Sequence, residues 1–260
     1  MPESQSVAEG TDRTGLLVLG VDTCGSTGSV ALARVEGGTA RILGQTELAG
    51  RSYSATLVAA IKELVTASNV RLGDLRAIVV VNGPGSFTGV RVGLSAVKGL
   101  AEPGKIPVVA VSRLAVLAAK AGVGAAALDA HRHEVFLRLE EGGEVRELLA
   151  GPEELAREGR RTDGLGRSPV PKSEGPFDRL RAGSGAPNVV AVCEETAAEM
   201  VSAAFGGAEL ARIEAPTAGD AIQVCLPRIL NEDFDDVALL DGHYLRRSDA
   251  EIFGDTGKRA

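Results

Sequence analysis

The chain has no tryptophan, and aromatic residues make up only 3% of its 260 positions. A core without large rings must be built from Val, Leu, Ile and Ala, which suits parallel strands covered by helices. Cysteine is also scarce. Cys24, Cys193 and Cys225 are odd in number, far apart and form no CxxC pair, so neither a disulfide framework nor a zinc site is implied. A reducing, cytoplasmic compartment fits. No apolar run reaches membrane-spanning length. There is no basic surplus: the net charge is −7. A broad nucleic-acid face is therefore not expected, and any RNA contact is local or made through a partner. The opening MPESQSVAEGTDRTG lacks the apolar centre of a signal peptide, and residues 1–14 are expected as a loose tail.

What is present is globular: 44% of residues are hydrophobic, and the length allows one large core or two small ones. LLVLGV (Leu16–Val21) is a continuous apolar run that reads as a buried strand ending at Asp22. Gly28–Arg34 and Arg41–Glu47 read as two more strands, joined by a glycine turn. Leu57, Ala60, Ile61, Leu64 and Val65 follow helical spacing. The strand Ala77–Val81 then runs through GPGSFTG into a helix over 88–101, where Val90, Leu94, Val97 and Ala101 share one face. Pro107–Val111 is a strand, and Ser112 is placed to cap RLAVLAAKA.

The order then starts again. Ala125–Ala130 is a small strand carrying Asp129. A hairpin turns across EGG, PEELARE is a short helix, NVVAVC a strand and ETAAEMVSAAF a helix. The matching order points to duplicated α/β halves. Residues 15–112 are expected to form the first half and 113–230 the second. Residues 216–230 are candidates to pack back on the first half, with Pro227 kinking or shortening that helix. Residues 231–260 are expected as a polar tail. Gly159–Pro187, rich in Gly, Pro, Ser and Arg without an apolar period, reads as a mobile insertion whose basic residues are solvated or touch RNA.

Chemistry concentrates at three places. In GPGSFTG, the glycines Gly83, Gly85 and Gly89, with Ser86 and Thr88, suit either a phosphate site at a helix start or a tight strand-to-helix connection. Spacing alone does not choose between them, because neither a Walker loop nor a dinucleotide fingerprint is complete. Asp22 and Asp129 close corresponding strands. They suit orientation of a metal-bound phosphate or a water across a cleft, or simple turn capping. His131 and His133 alternate at what reads as a strand start, but two ligands make no metal site. The helices over 54–68 and 88–101 carry small residues beside their apolar stripes, and on the second Val92, Leu100 and the Gly93/Ala96 flank widen the apolar arc, which allows a partner to approach closely.

Taken together, GVDTCGSTGSVALA, GPGSFTGVRVGLSAVKGLA, ALDAHRHEVF and YLRRSDAE resemble the TsaB family, from about Leu16 to Glu251 apart from the insertion. The resemblance implies an actin-like, Hsp70-like α/β fold of two duplicated ribonuclease-H-like halves, with mixed sheets covered by helices. It implies a scaffold or dimerisation subunit for forming threonylcarbamoyladenosine in tRNA, with no catalytic residue and no metal of its own. The implied partners are the catalytic relative TsaD and the ATPase TsaE, with tRNA met through the complex and a homodimer when TsaD is absent. ATP or ADP is allowed at the partner interface. That interface is expected on Leu57, Ala60, Ile61, Leu64, Val90, Gly93, Leu94, Val97 and Leu100. TsaD holds metal through histidines on its first long helix. Here RSYSATLVAAIKELV has none, and Tyr53 stands where many relatives carry His. The alternative reading is an actin-like ATPase, a kinase or a glycoprotease-type hydrolase acting alone through Asp22 and Asp129.

Overall fold

The computed structural model describes residues 15–163, 189–206 and 208–246. Strands β1 (Leu16–Asp22), β2 (Thr27–Glu36) and β3 (Thr39–Ala49) form a meander. Helix α1 (Tyr53–Ala67), β4 (Leu75–Val81), α2 (Phe87–Gly104) and β5 (Val108–Val111) complete the first sheet. Helix α3 (Arg113–Ala121) leads to β6 (Ala125–His131), β7 (Glu134–Glu141), β8 (Glu144–Ala150), α4 (Pro152–Asp163), β9 (Val189–Val192), α5 (Glu195–Ala204) and β10 (Glu209–Arg212). Helix α6 (Ala218–Leu230) follows.

The sheet orders are β3-β2-β1-β4-β5 and β10-β9-β6-β7-β8. Counted from each half's own first strand, both read 3-2-1-4-5. In each, the first strand runs antiparallel to the second and parallel to the fourth. This is the ribonuclease-H-like arrangement, present twice, as in actin-like folds. β1 is apolar up to Asp22 because it is central and, from Val18 on, covered on both faces, with Val18, Leu19 and Val21 fully buried. β3 lies at the edge and exposes much of its length.

The covering helices are exchanged between the halves. α3 packs on β6, β7 and β9, whereas α6 lies across β1 to β5. Gly20 on β1 lets the Ala218 backbone and Ile222 come close, and the Ala218 amide donates to Ser29 Oγ at 2.8 Å. Lys120 Nζ on α3 sits 2.9 Å from Asp220 Oδ2 on α6, tying the two crossing helices together. Beyond α6 the chain returns along the open side of β5. The Asp235 amide donates to the Val108 carbonyl at 2.9 Å, and Asp235 Oδ2 accepts from the Ala110 amide at 2.7 Å. An edge that would otherwise offer free ladder groups is thereby covered.

Some boundaries differ from the sequence reading. α4 does not stop at Glu158 but continues to Asp163. Gly159 is there because a side chain would collide with the Ala204 carbonyl on α5, so it serves helix packing and does not end the helix. The expected insertion 159–187 thus starts inside a helix, and its remainder lies outside the described residues. α6 continues past Pro227 to Leu230. β10 has no counterpart in the sequence reading, since ELAR is four residues long, half-exposed and charged at both ends. Among the described residues no helix is long and apolar enough to cross a membrane.

Candidate functional site

The glycine turn joins β4 to α2. Gly83 (φ 115°) and Gly85 (φ 157°) adopt backbone conformations that side chains disfavour, around a cis Gly83–Pro84 peptide. The chain itself fills the space beside them. A Cβ on Gly85 would collide with the Cys24 carbonyl, and one on Gly83 would sit 2.9 Å from the His243 carbonyl. The backbone is pinned from three sides. The Ser86 amide donates to the Cys24 carbonyl at 2.8 Å, the Arg113 amide to the Gly83 carbonyl at 2.6 Å, and the His243 amide to the Asn82 carbonyl at 2.7 Å. Ser86 caps α2, its Oγ accepting from the Gly89 amide at 3.2 Å. Thr88 stands exposed on the first turn. Gly89 and Gly93 make room for Thr23, whose Oγ1 donates to the Gly89 carbonyl at 2.7 Å.

Asp22 is 0% exposed, and Arg113, at 4%, closes over it. Arg113 Nε lies 3.5 Å from Asp22 Oδ2, and neither atom has a hydrogen-bond partner, so the contact is a bare ion pair. Asp22 Oδ1 accepts from the Cys24 amide at 2.8 Å. Burial works against the Arg113 charge. Asp22, then Cys24, Glu194 and Cys193, outweigh it and hold the guanidinium more firmly protonated than usual. Burial, reinforced by Asp22, pushes the Cys24 thiol well up and Tyr53, which donates to the Gly25 carbonyl at 2.8 Å, to about 12. A carboxylate enclosed in this way cannot reach a metal-bound phosphate or a water. The chain's own backbone fills the space beside Gly83 and Gly85, and Arg113 covers Asp22, whereas Ser86 and Thr88 stand exposed at the start of α2.

Asp129 takes the corresponding place on β6 and does something else. Its Oδ1 accepts from the His131 amide at 2.7 Å, and Oδ2 lies 3.2 Å from His131 Nδ1. His131, Arg132 and His133 all lie in the left-handed region. His131 and His133 therefore do not share a strand face as expected; they are exposed members of a turn that Asp129 caps. Among the described residues no three His, Cys, Asp or Glu side chains converge on one point.

Several participants escaped the sequence reading. Arg113 is the clearest. A cation in the first turn opposes the helix macrodipole, and that misfit, unlike Lys120 in the last turn, was its one available signal. Glu147 on β8 accepts from Ser112 Oγ at 2.7 Å and Arg138 Nη1 at 2.8 Å, and meets His243 Nε2 at 2.7 Å. Burial alone would raise its carboxyl. The bonds from His243, Ser112 and Arg138 outweigh this and hold it below the ordinary range. His243 thus links the glycine turn of the first half to β8 of the second, which no local pattern reveals.

The model of the family described as "TsaD: tRNA N6-adenosine threonylcarbamoyltransferase" matches residues 43–207, well over half of the chain. The chain belongs to the TsaD family, among its TsaB members. It is 35% identical over 125 residues to the tRNA threonylcarbamoyladenosine biosynthesis protein TsaB of Escherichia coli, covering 46% of this chain and 52% of that one. It is 34% identical over 128 residues to the TsaB of Bacillus subtilis, covering 48% and 55%. The alignment spans about half the length of the curated relatives it matches. YeaZ from Pseudomonas aeruginosa superposes with a TM-score of 0.63 at 26% identity, covering 88% of this chain and all of that one.

The sequence reading places a partner interface on α1 and α2, and the residues expected there need correction. Leu57, Ala60, Ile61, Leu64, Val90, Leu94 and Val97 are buried in the chain's own core, and buried Gly93 accommodates Thr23. These side chains cover the sheet and are not free for a partner. Leu100 alone among them is half-exposed. The accessible apolar residues are displaced by about one position around each helix. On α1 they are Val58, 62% exposed, with Ala55 and Ala59. On α2 they are Val92, Ala96 and Leu100. On α2 the wider flank of Val92, Ala96 and Leu100 was already visible in the sequence, but spacing did not show that the stripe beside it is consumed by the sheet.

Proposed function

We propose that the chain is a non-catalytic scaffold subunit of the cytoplasmic complex that forms N6-threonylcarbamoyladenosine in tRNA. It pairs with TsaD, is joined by TsaE, and meets tRNA through the assembly. One observation carries this reading. Within a TsaD-family fold, Asp22, a fully buried carboxylate at the end of a central strand, is neutralised by the chain's own Arg113, so docking is the role that fits. The docking surface is the outer flank of α1 and α2 centred on Val58, an exposed apolar side chain with small neighbours that let a second helix pair approach. Any ATP or ADP belongs to the shared interface, since the glycine turn is packed from within. Reconstitution tests the role: tRNA modification is assayed with TsaD, TsaE and the adenylate-forming enzyme, with and without this chain. We expect modification to depend on it; equal yields without it would refute the scaffold role. Val58→Asp is expected to abolish co-elution with TsaD while changing stability by less than about 0.5 kcal/mol, as for an exposed site. Unchanged co-elution would place the surface elsewhere.

A further inference from the structure

Helix α2 has a second outer flank, and its chemistry differs. Phe87 and Arg91 are one turn apart, with Lys98 two turns further on, about 10 Å along the axis from Arg91. The Arg91 guanidinium carbon lies 3.7 Å from the Phe87 ring centre and 5.9 Å from that of Tyr244. The two rings are 5.2 Å apart, and Arg91 Nε donates to the Tyr244 hydroxyl at 3.3 Å. Phe87 is 40% and Tyr244 37% exposed. In a chain with six Phe and two Tyr, two rings held together at the surface need a reason. Val92, Ala96 and Leu100 lie on the opposite flank of the helix, so the protein-docking face does not supply it. Charge narrows the choice. Among the described residues no carboxylate lies within ion-pair reach of Arg91 or Lys98, although the chain as a whole is acidic.

We infer that Phe87, Arg91 and Tyr244, with Lys98 beyond them, form a contact site for single-stranded RNA. A guanidinium layered on a ring presents a flat cationic surface on which an unpaired base stacks, and the outward charges of Arg91 and Lys98 take the flanking phosphates. Tyr244 is brought there by the tail, which the His243 amide and ring fix to Asn82 and Glu147. The site rests on the reading that the chain serves tRNA modification, and it adds a direct local contact to the substrate.

A fluorescently labelled anticodon stem–loop is titrated with the chain–TsaD pair, over a salt series, and its anisotropy recorded. Phe87→Ala and Arg91→Ala are expected to weaken binding about tenfold each, and Arg91→Ala to lower the salt slope by about one. Arg91→Lys should keep the slope but recover only part of the affinity, since charge remains and the stacking plane is lost. Arg91 is exposed, so its variants stay informative even if Phe87→Ala disturbs the fold. RNA affinity unchanged in both alanine variants overturns the site. So does a fall in TsaD co-elution without a change in RNA binding, which would make the patch a protein contact, or a pair that binds RNA no better than TsaD alone. Modification that proceeds equally without the chain sinks the scaffold reading instead, by a separate measurement.

Discussion

Asp22 and Asp129 close the equivalent central strands of two halves with the same topology, yet their surroundings are opposite. Asp22 lies in a sealed interior against Arg113, with Thr23, Cys24 and the α2 glycines packed around it. Asp129, with 16% of its side chain exposed, holds its own turn. Strand order is conserved between the halves while the chemistry at the strand ends is not. Topology alone therefore carries no information about whether such an end is a reactive site, a lock or a cap.

The largest expected effect breaks this comparison or upholds it. Asp22→Asn leaves a buried guanidinium without a counter-charge and is expected to cost about 3–5 kcal/mol. The same change at Asp129 should cost about 1 kcal/mol or less, as for a lost cap. Arg113→Met added to Asp22→Asn should recover a large part of the first loss, because two apolar or neutral groups replace a pair that burial already penalises. Denaturant midpoints of these three variants and of Arg113→Met alone measure this. Equal costs at Asp22 and Asp129, or strictly additive effects at Asp22 and Arg113, would mean that the first half is no more locked than the second.

Most of the fold was legible because both halves obey local rules. Continuous apolar runs mark the central strands, glycine pairs mark the hairpins, and Ser112 caps its helix. What was illegible depends on contacts distant in sequence. Gly159 looks like a helix stop and is a packing point against Ala204. Gly93 looks like an invitation to a partner and is a notch for Thr23, seventy residues upstream. Of the site, Asp22, Asp129 and the glycine turn were visible as residue types in suggestive places. Arg113, Glu147 and His243, which decide what those residues do, come from other elements and carry no spacing signal.

A smaller effect sharpens the contrast within one helix. Gly93→Ala places a methyl against Thr23 Oγ1, in the packing that seals Asp22, and overpacking of this kind costs about 1–3 kcal/mol. Gly99 on the same helix has open space where a Cβ would stand, so Gly99→Ala should stabilise by about 0.5–1 kcal/mol through helix propensity alone. Thermal melts of the two variants should therefore move in opposite directions. A shared direction would show that the small residues of α2 serve one purpose, contrary to the division between a sealed inner face and an open outer one.

The smallest effect concerns the link between the halves. Arg113 keeps its charge at any working pH, so the first half's lock does not titrate from that side. Glu147, which receives Ser112, Arg138 and the tail's His243, does titrate. Its folded-state pKa lies below the ordinary 4.5 because those bonds outweigh burial. A carboxyl depressed in this way contributes stability that is fully present above 4.5 and is lost as pH falls through the lowered folded value. Denaturant midpoints from about pH 7 down to about pH 3 should therefore hold steady and then decline below the ordinary carboxylate value. Glu147→Gln should start lower at neutral pH and show a shallower acid decline, since its amide makes weaker bonds and does not titrate. An acid profile unaltered by that substitution would separate the tail's position from the Glu147 charge, and leave the backbone bond between His243 and Asn82, which reaches the first half alone, as what holds the tail at the glycine turn.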